Sequence, residues 1–171
     1  MNHIYTEAKM LQQDFIVLAF KAAEEAIAKG APINAAIAAA QAALESAYGN
    51  SQLCKAANNL FGIKAGKSWK GEVVEFGTSE FDPDRGMYKT RAVFRKYDSW
   101  AHCFEDYGNI IGRLSWYKDA VAAKDDPIGF ILGLAHKPGR EPGWATDPRY
   151  VEKVLAVAKR FNLVDARARL P

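Results

Sequence analysis

Glu45 is the residue whose type and setting most invite chemistry. It is the only formally charged side chain between Lys29 and Lys55, and it lies in a run from Asn34 to Tyr48 that is almost all alanine with Ile37 and Leu44 added. Burial, together with the negative end of the helix dipole, opposes ionisation of a carboxyl near the C-terminal end of an apolar helix. A carboxylic acid kept protonated in this way can donate a proton in a cleft. Two plainer readings compete: a glutamate paired with a distant Arg or Lys, and one that faces water. Spacing alone does not choose among the three. Glu80, in Thr78-Ser79-Glu80-Phe81, is a second acidic candidate, although a glutamate in that setting is most often a solvated surface residue.

Other chemistries find little support. His3, His102 and His136 lie far apart with no His-x-x-x-His pair, and Cys54 and Cys103 match no metal spacing, so neither a metal nor a cofactor is expected. The two cysteines are compatible with one disulfide or with two buried thiols. The net charge of +3 is spread along the chain without a Lys/Arg cluster interleaved with aromatics, which argues against nucleic acid. No Lys/Arg-led start precedes an apolar core and a small-residue cleavage site. No stretch approaches the roughly 18 uncharged apolar residues of a membrane span. The expectation is a chain that is neither a preprotein nor inserted in a membrane.

The elements that must position these residues follow from periodicity. The 171 residues, 49% hydrophobic and 12% aromatic, suffice for one domain with a real core, taken as residues 1–171 with its core at about 6–163. Three- and four-residue apolar steps predict a first helix over about Thr6 to Lys29, stopped by Gly30. Asn34 can cap the second helix, which carries Glu45 and stops at Gly49. A short third helix or turn spans Ser51 to Ala57. Asn59 can then bond backbone groups and fix a bend, and Gly62 permits a close approach.

From Trp69 to Tyr97 the pattern becomes β-like, with strands at Glu72–Phe76 and Lys89–Arg95 around a turn at Asp82-Pro83-Asp84-Arg85-Gly86. Helices return after Asp98, read as the cap of Ser99 to about Arg113, then around Trp116 to Ala123, and from Pro127 to Ala135. An irregular loop from His136 to Thr146 contains Trp144, a lid onto the core or a sugar-stacking surface. Asp147 and Pro148 are expected to start the last helix, and the tail from Val164 is expected to fray. The fold class is therefore α+β: a mainly helical lobe, a small antiparallel β-lobe at 69–97, and a cleft between them that Glu45 and Glu80 would enter from opposite sides.

Four blocks carry a resemblance to a known family. Ala42-Ala43-Leu44-Glu45-Ser46 leads to an aromatic and Gly49. Asn59-Leu60-Phe61-Gly62-Ile63-Lys64, Phe94-Arg95-Lys96-Tyr97-Asp98-Ser99 and Thr146-Asp147-Pro148-x-Tyr150 follow in order. Together they resemble glycoside hydrolase family 73, the bacterial and phage endo-β-N-acetylglucosaminidases that include the hydrolase domain of flagellar rod-cap proteins. Ala47-Tyr48 stands where Gly-Trp is common, and Ala65 where Gly is common.

The resemblance implies a lysozyme-like fold and hydrolysis of the GlcNAc-β-1,4-MurNAc bond of peptidoglycan. It makes Glu45 the general acid, Glu80 the candidate second carboxylate and Tyr150 an active-site tyrosine. Substrate-binding candidates are Tyr48, Asn59, Phe61, Tyr88, Trp116 and Trp144, the last three either as sugar-stacking surfaces or as core. The expected partner is a peptidoglycan glycan strand, met by a monomer in the periplasm or outside the cell. A phage-type endolysin that waits in the cytoplasm until release, a secreted effector and a fragment of a larger exported protein all fit, and the sequence does not choose among them. The competing functions are a muramidase or lytic transglycosylase on the same kind of fold, and a catalytically silent glycan-binding or assembly protein.

Overall fold

A computed structural model describes residues 9–82, 86–135 and 143–165, with the side chains of all of these except 78–82, 87 and 88. The helices are α1 (Gln12–Ala28), α2 (Ala35–Glu45), α3 (Gln52–Ala57), α4 (Trp100–Arg113), α5 (Lys118–Ala122), α6 (Pro127–Leu134) and α7 (Tyr150–Arg160). A 3-10 turn at Ser115–Tyr117 precedes α5, and strands β1 (Val73–Asp82) and β2 (Gly86–Arg95) separate α3 from α4.

Alanine puts α2 at the centre. Every residue from Ala36 to Ala43 is buried, and the small side chains let α1, α6 and α7 pack against α2 from several sides. Alanine is also the strongest helix former, so a helix with little side-chain volume still holds its shape. Asn34 caps it as expected, its Oδ1 accepting from the Ile37 N–H at 3.2 Å. The larger core side chains come from the surrounding helices: Phe15, Phe104, Tyr107, Phe130, Ile131 and Leu134 are all inaccessible to solvent. Cys54 and Cys103 are both buried and free, which leaves two thiols rather than a disulfide.

β1 and β2 form one antiparallel hairpin in continuous register, from Val73 opposite Arg95 to Asp82 opposite Gly86. Both strands run further than the periodicity predicts, because regular pairing continues through Thr78–Glu80. Glu80 therefore sits within β1 opposite Tyr88 rather than in the approach to a turn. A lone two-stranded ribbon is marginal in water, and this one is tied down at its base. There Ala65 N–H bonds Val93 O at 2.8 Å, Arg95 N–H bonds Ile63 O at 3.0 Å, and Lys96 N–H bonds Glu72 O at 2.9 Å.

Three element starts differ from the sequence reading. α1 begins at Gln12, so residues 9–11, expected inside the helix, lie before it. The backbone of Met10 is held outside the helix by Asn50, whose Oδ1 accepts from Met10 N–H at 3.1 Å while its Nδ2 donates to Met10 O at 3.2 Å. α4 is capped by Ser99 Oγ on the His102 N–H at 3.1 Å, not by Asp98, whose side chain is 92% exposed and 3.6 Å from the His102 ring. α7 begins at Tyr150, because Asp147 uses its carboxylate on the Arg149 N–H at 2.9 Å and on Lys153, holding Pro148 in a turn just before the helix. Thr6, where the first helix is expected to start, the turn at 83–85, the loop at 136–142 and the tail from 166 lie outside the described residues.

Candidate active site

The last residue of α2 opens onto a cleft of about 600 Å³. Its walls are Glu45, the Phe61–Ile63 segment, Ile110 of α4, Tyr117, and the 143–147 stretch that leads into α7. Glu45 is exposed on the cleft side. Even so, the surrounding protein strips enough water from its carboxyl to push its pKa above the ordinary glutamate value. Hydrogen bonds from Tyr150 and from the Trp144 side chain act in the opposite sense, favouring the charged form, but do not cancel the desolvation. No Arg or Lys pairs with Glu45 among the described residues. Among the described residues, the glutamate therefore faces the cleft without a counter-charge.

Behind it runs a chain of hydrogen bonds that reaches into the core. The Tyr150 hydroxyl donates to Glu45 Oε1 at 2.9 Å. Gln41 Nε2 donates to the Tyr150 oxygen at 3.1 Å, and Tyr107 donates to Gln41 Oε1 at 2.6 Å. The links share one direction: with the Tyr150 hydroxyl donating to Glu45, its oxygen accepts from the Gln41 amide nitrogen, which leaves Gln41 Oε1 to accept from Tyr107. Gln41 and Tyr107 are fully buried, and Tyr150 is 8% exposed. Burial above all raises the pKa of both phenols, so each stays an O–H donor at neutral pH. Tyr150 thus fixes the carboxyl through Oε1, and the Trp144 side chain is its second hydrogen-bonding partner.

Aromatic packing keeps this chain in place. The Tyr107 ring stacks on Phe61 at 4.2 Å with an 8° interplanar angle, and Trp144 meets Tyr107 edge-on at 4.8 Å and Phe61 at 5.8 Å. Trp144 N–H also donates to Leu134 O at 2.9 Å, which ties the strip before α7 to the end of α6. After Glu45 the chain turns sharply through three residues of positive φ, Ala47 at 52°, Tyr48 at 54° and Gly49 at 75°. Ser46 closes the turn, its Oγ donating to Ala42 O at 2.6 Å and accepting from Gly49 N–H at 2.9 Å. A Cβ on Gly49 would stand 2.8 Å from Phe15 Cδ2, so only glycine fits there.

Of the residues singled out from sequence, the structure brings Glu45, Tyr150, Phe61 and Trp144 together at the cleft. Asn59 is 1% exposed and spends its amide on backbone, accepting from Ile63 N–H at 3.0 Å and donating to Ile63 O at 2.9 Å and Arg95 O at 2.8 Å. It shapes the segment that carries Phe61. Tyr48 packs against Phe15 and Phe161, and Trp116 stands partly exposed beside Tyr117. The side chains of Glu80 and Tyr88 lie outside the described residues. Gln41, Tyr107 and Tyr117 were given no role by the sequence reading. Gln41 had one available signal: it is the only polar residue within the buried stretch of the alanine run, and it sits four residues before Glu45, hence on the same helical face.

Residues 21–163 match the glucosaminidase family model, described as mannosyl-glycoprotein endo-beta-N-acetylglucosaminidase. The chain belongs to the glucosaminidase family. It is 35% identical over 161 residues to the peptidoglycan hydrolase FlgJ of Vibrio parahaemolyticus, covering 92% of this chain and 50% of that one. To the exo-glucosaminidase LytG of Bacillus subtilis it is 37% identical over 133 residues, 74% of this chain and 44% of that one. Among solved structures, the catalytic domain of the autolysin Auto from Listeria monocytogenes superposes with a TM-score of 0.75 at 32% identity, covering 92% of this chain and 89% of that one. This glucosaminidase chain thus spans about half the length of the two relatives named. Its fold, helical with one small antiparallel hairpin, is the lysozyme-like fold of glycoside hydrolase domains.

Proposed function

We propose that this chain hydrolyses the GlcNAc-β-1,4-MurNAc bond of peptidoglycan, with Glu45 as the general acid. The observation that carries the proposal is the directed hydrogen-bond chain from Tyr107 through Gln41 and Tyr150 to a glutamate of raised pKa at the cleft. Glycoside hydrolysis needs a carboxylic acid still protonated when the leaving oxygen arrives, and a second group to act on the opposite side of the sugar. Tyr150 holds one oxygen of Glu45, so the other presents its proton to the glycosidic oxygen. Phe61, Trp144 and Tyr117 offer apolar surface for the sugar rings.

Glu80, on β1, is the proposed second carboxylate and acts by activating the attacking water. A water-activating base needs a separation of roughly 6.5–9.5 Å between the carboxyl groups, whereas a covalent nucleophile needs about 5–5.5 Å. The hairpin closing on bound substrate would bring Glu80 to that distance. The FlgJ relative is named a peptidoglycan hydrolase, which supports the substrate class. The place of action is accordingly the cell wall, and no described helix is long and apolar enough to cross a membrane.

Mass spectrometry of digested, borohydride-reduced peptidoglycan tests the proposal. Reduced GlcNAc ends are expected. Reduced MurNAc ends would make the chain a muramidase, anhydro-MurNAc ends a lytic transglycosylase, and an unchanged polymer a glycan-binding protein.

A further inference from the structure

A second cavity, of about 260 Å³, adjoins the cleft on the far side of Ile110, which lines both. It is smaller than the ~300–1,000 Å³ of pockets that enclose a whole drug-sized ligand, so it suits one side-chain-sized group. One wall is a face of α4, where Asp106, Asn109, Ile110 and Arg113 recur at three- and four-residue steps. The other wall is the base of the hairpin, with Ser68, Trp69 and Arg95.

The chemistry of this cavity is one-sided. Arg95 Nη1 donates to both oxygens of Asp106, at 2.8 and 2.7 Å, Nε reaches Lys64 O at 3.3 Å, and the Tyr97 hydroxyl donates to Asp106 Oδ2 at 2.7 Å. The pair is nearly enclosed, with side chains 11% and 13% exposed, and the guanidinium lies 4.7 Å over the Trp69 ring. Asp106 therefore has its charge balanced and both oxygens engaged. Arg95 Nη2 is left without an acceptor among the described residues, and so are the Arg113 guanidinium and the Asn109 amide. Among the described residues the cavity presents donors and one uncompensated positive charge, and a planar fork of this kind matches a carboxylate.

We infer that this cavity binds a carboxylate of the peptide stem that hangs from the glycan strand while the neighbouring sugars lie in the cleft. The inference rests on the peptidoglycan reading above. The stem is attached to alternate sugars, so a carboxylate pocket one residue wide, separated from the cleft by a single isoleucine, is placed to read it. Arg113, exposed on the last turn of α4, steers and pairs the carboxylate, and Arg95 Nη2 and Asn109 complete the donor set.

Two substrates test this: intact strands bearing their peptide stems, and strands stripped of stems by an amidase. Arg113→Gln should raise KM about tenfold on stem-bearing strands, the usual scale for one lost charge-assisted hydrogen bond. It should leave kcat unchanged and leave stripped strands unaffected. An equal change on both substrates, or none on either, overturns the inference. A second arm does not depend on which glycosidic bond is cut. In isothermal titration, free acidic stem tetrapeptide should bind the Glu45→Gln protein, and both Arg113→Gln and amidation of the peptide should weaken that binding about tenfold. Binding indifferent to amidation, or displaced equally well by inorganic phosphate, would make this a general anion site and overturn the inference. If the first arm fails because neither strand is cut at GlcNAc, it is the functional reading that has failed, and the titration alone decides on the pocket.

Discussion

The two carboxylates proposed for catalysis sit in regions built on opposite plans. Glu45 closes a helix whose residues 36–43 are all buried, and a buried amide and two buried phenols orient it. Glu80 belongs to a two-stranded ribbon held mainly at its base, with Val73 and Val93 facing solvent at 52% and 43% exposure. The first region is pre-organised: its geometry is paid for in folding and needs no substrate. The second can close on substrate at little cost, since a hairpin of this kind has few buried contacts to break. In the proposed mechanism the proton donor is fixed and the water-activating group is brought to it.

Replacing each carboxyl by its amide tests that contrast most strongly. Glu45→Gln keeps shape but deletes the transferable proton, so turnover should fall by the ~10²–10⁴-fold typical of general-acid loss, read as muropeptide release per folded enzyme. Its stability should be unchanged or slightly higher, for a reason of sign. The folded pKa of Glu45 is raised above 4.5, so its contribution to stability is present below that value and is lost as pH rises through the folded pKa. The glutamine variant lacks that loss, and denaturation across pH should show a flatter profile from about 4.5 upward. Glu80→Gln should cost less, about ten- to a thousand-fold. The anomer released first should be α, as inversion requires; a β product would remove Glu80 from the water-activating role.

Tyr150→Phe probes the fixed side more gently. It removes the hydrogen bond that holds the Glu45 pKa down, so the alkaline limb of kcat/KM should move to higher pH while turnover drops by less than for Glu80→Gln. It also leaves Gln41 Nε2 without its acceptor inside the core, a loss of ~1–3 kcal/mol readable in urea denaturation. An unmoved pH profile would mean that Tyr150 only fills space.

The smallest effect concerns the turn after Glu45. Ala47 sits at a φ of 52°, where an L side chain is strained by roughly 1–2 kcal/mol. Ala47→Gly should relieve part of this and raise the melting temperature by about 2–4 °C for each kcal/mol recovered, with activity unchanged. A fall in melting temperature would show that the turn is not strained.

The same contrast explains what the sequence reveals and what it conceals. Glu45 is legible because its oddity is local: one charge at the end of an alanine helix. Asn59 as a fixer of backbone is legible for the same reason, since Ile63 is four residues away. The partners of Gln41 lie 66 and 109 residues off, and no local pattern points to Tyr107 or Tyr150 as its neighbours. Tyr150 enters a sequence reading only through the family resemblance. The misplaced start of α4 comes from a competition between adjacent capping groups. Asp98 and Ser99 are both competent caps, and the tertiary position of the backbone decides in favour of Ser99.

The central proposal is that its setting raises the pKa of Glu45 and that Glu45 gives up its proton in catalysis. Carbon-13 NMR of the Glu45 side-chain carboxyl, titrated alongside kcat/KM over the same pH range, tests it most directly. The expected result is a Glu45 pKa above 4.5 that coincides with the alkaline limb of kcat/KM in wild type and moves upward with it in Tyr150→Phe. A carboxyl that titrates at or below 4.5, or an alkaline limb that ignores its titration, would contradict the account.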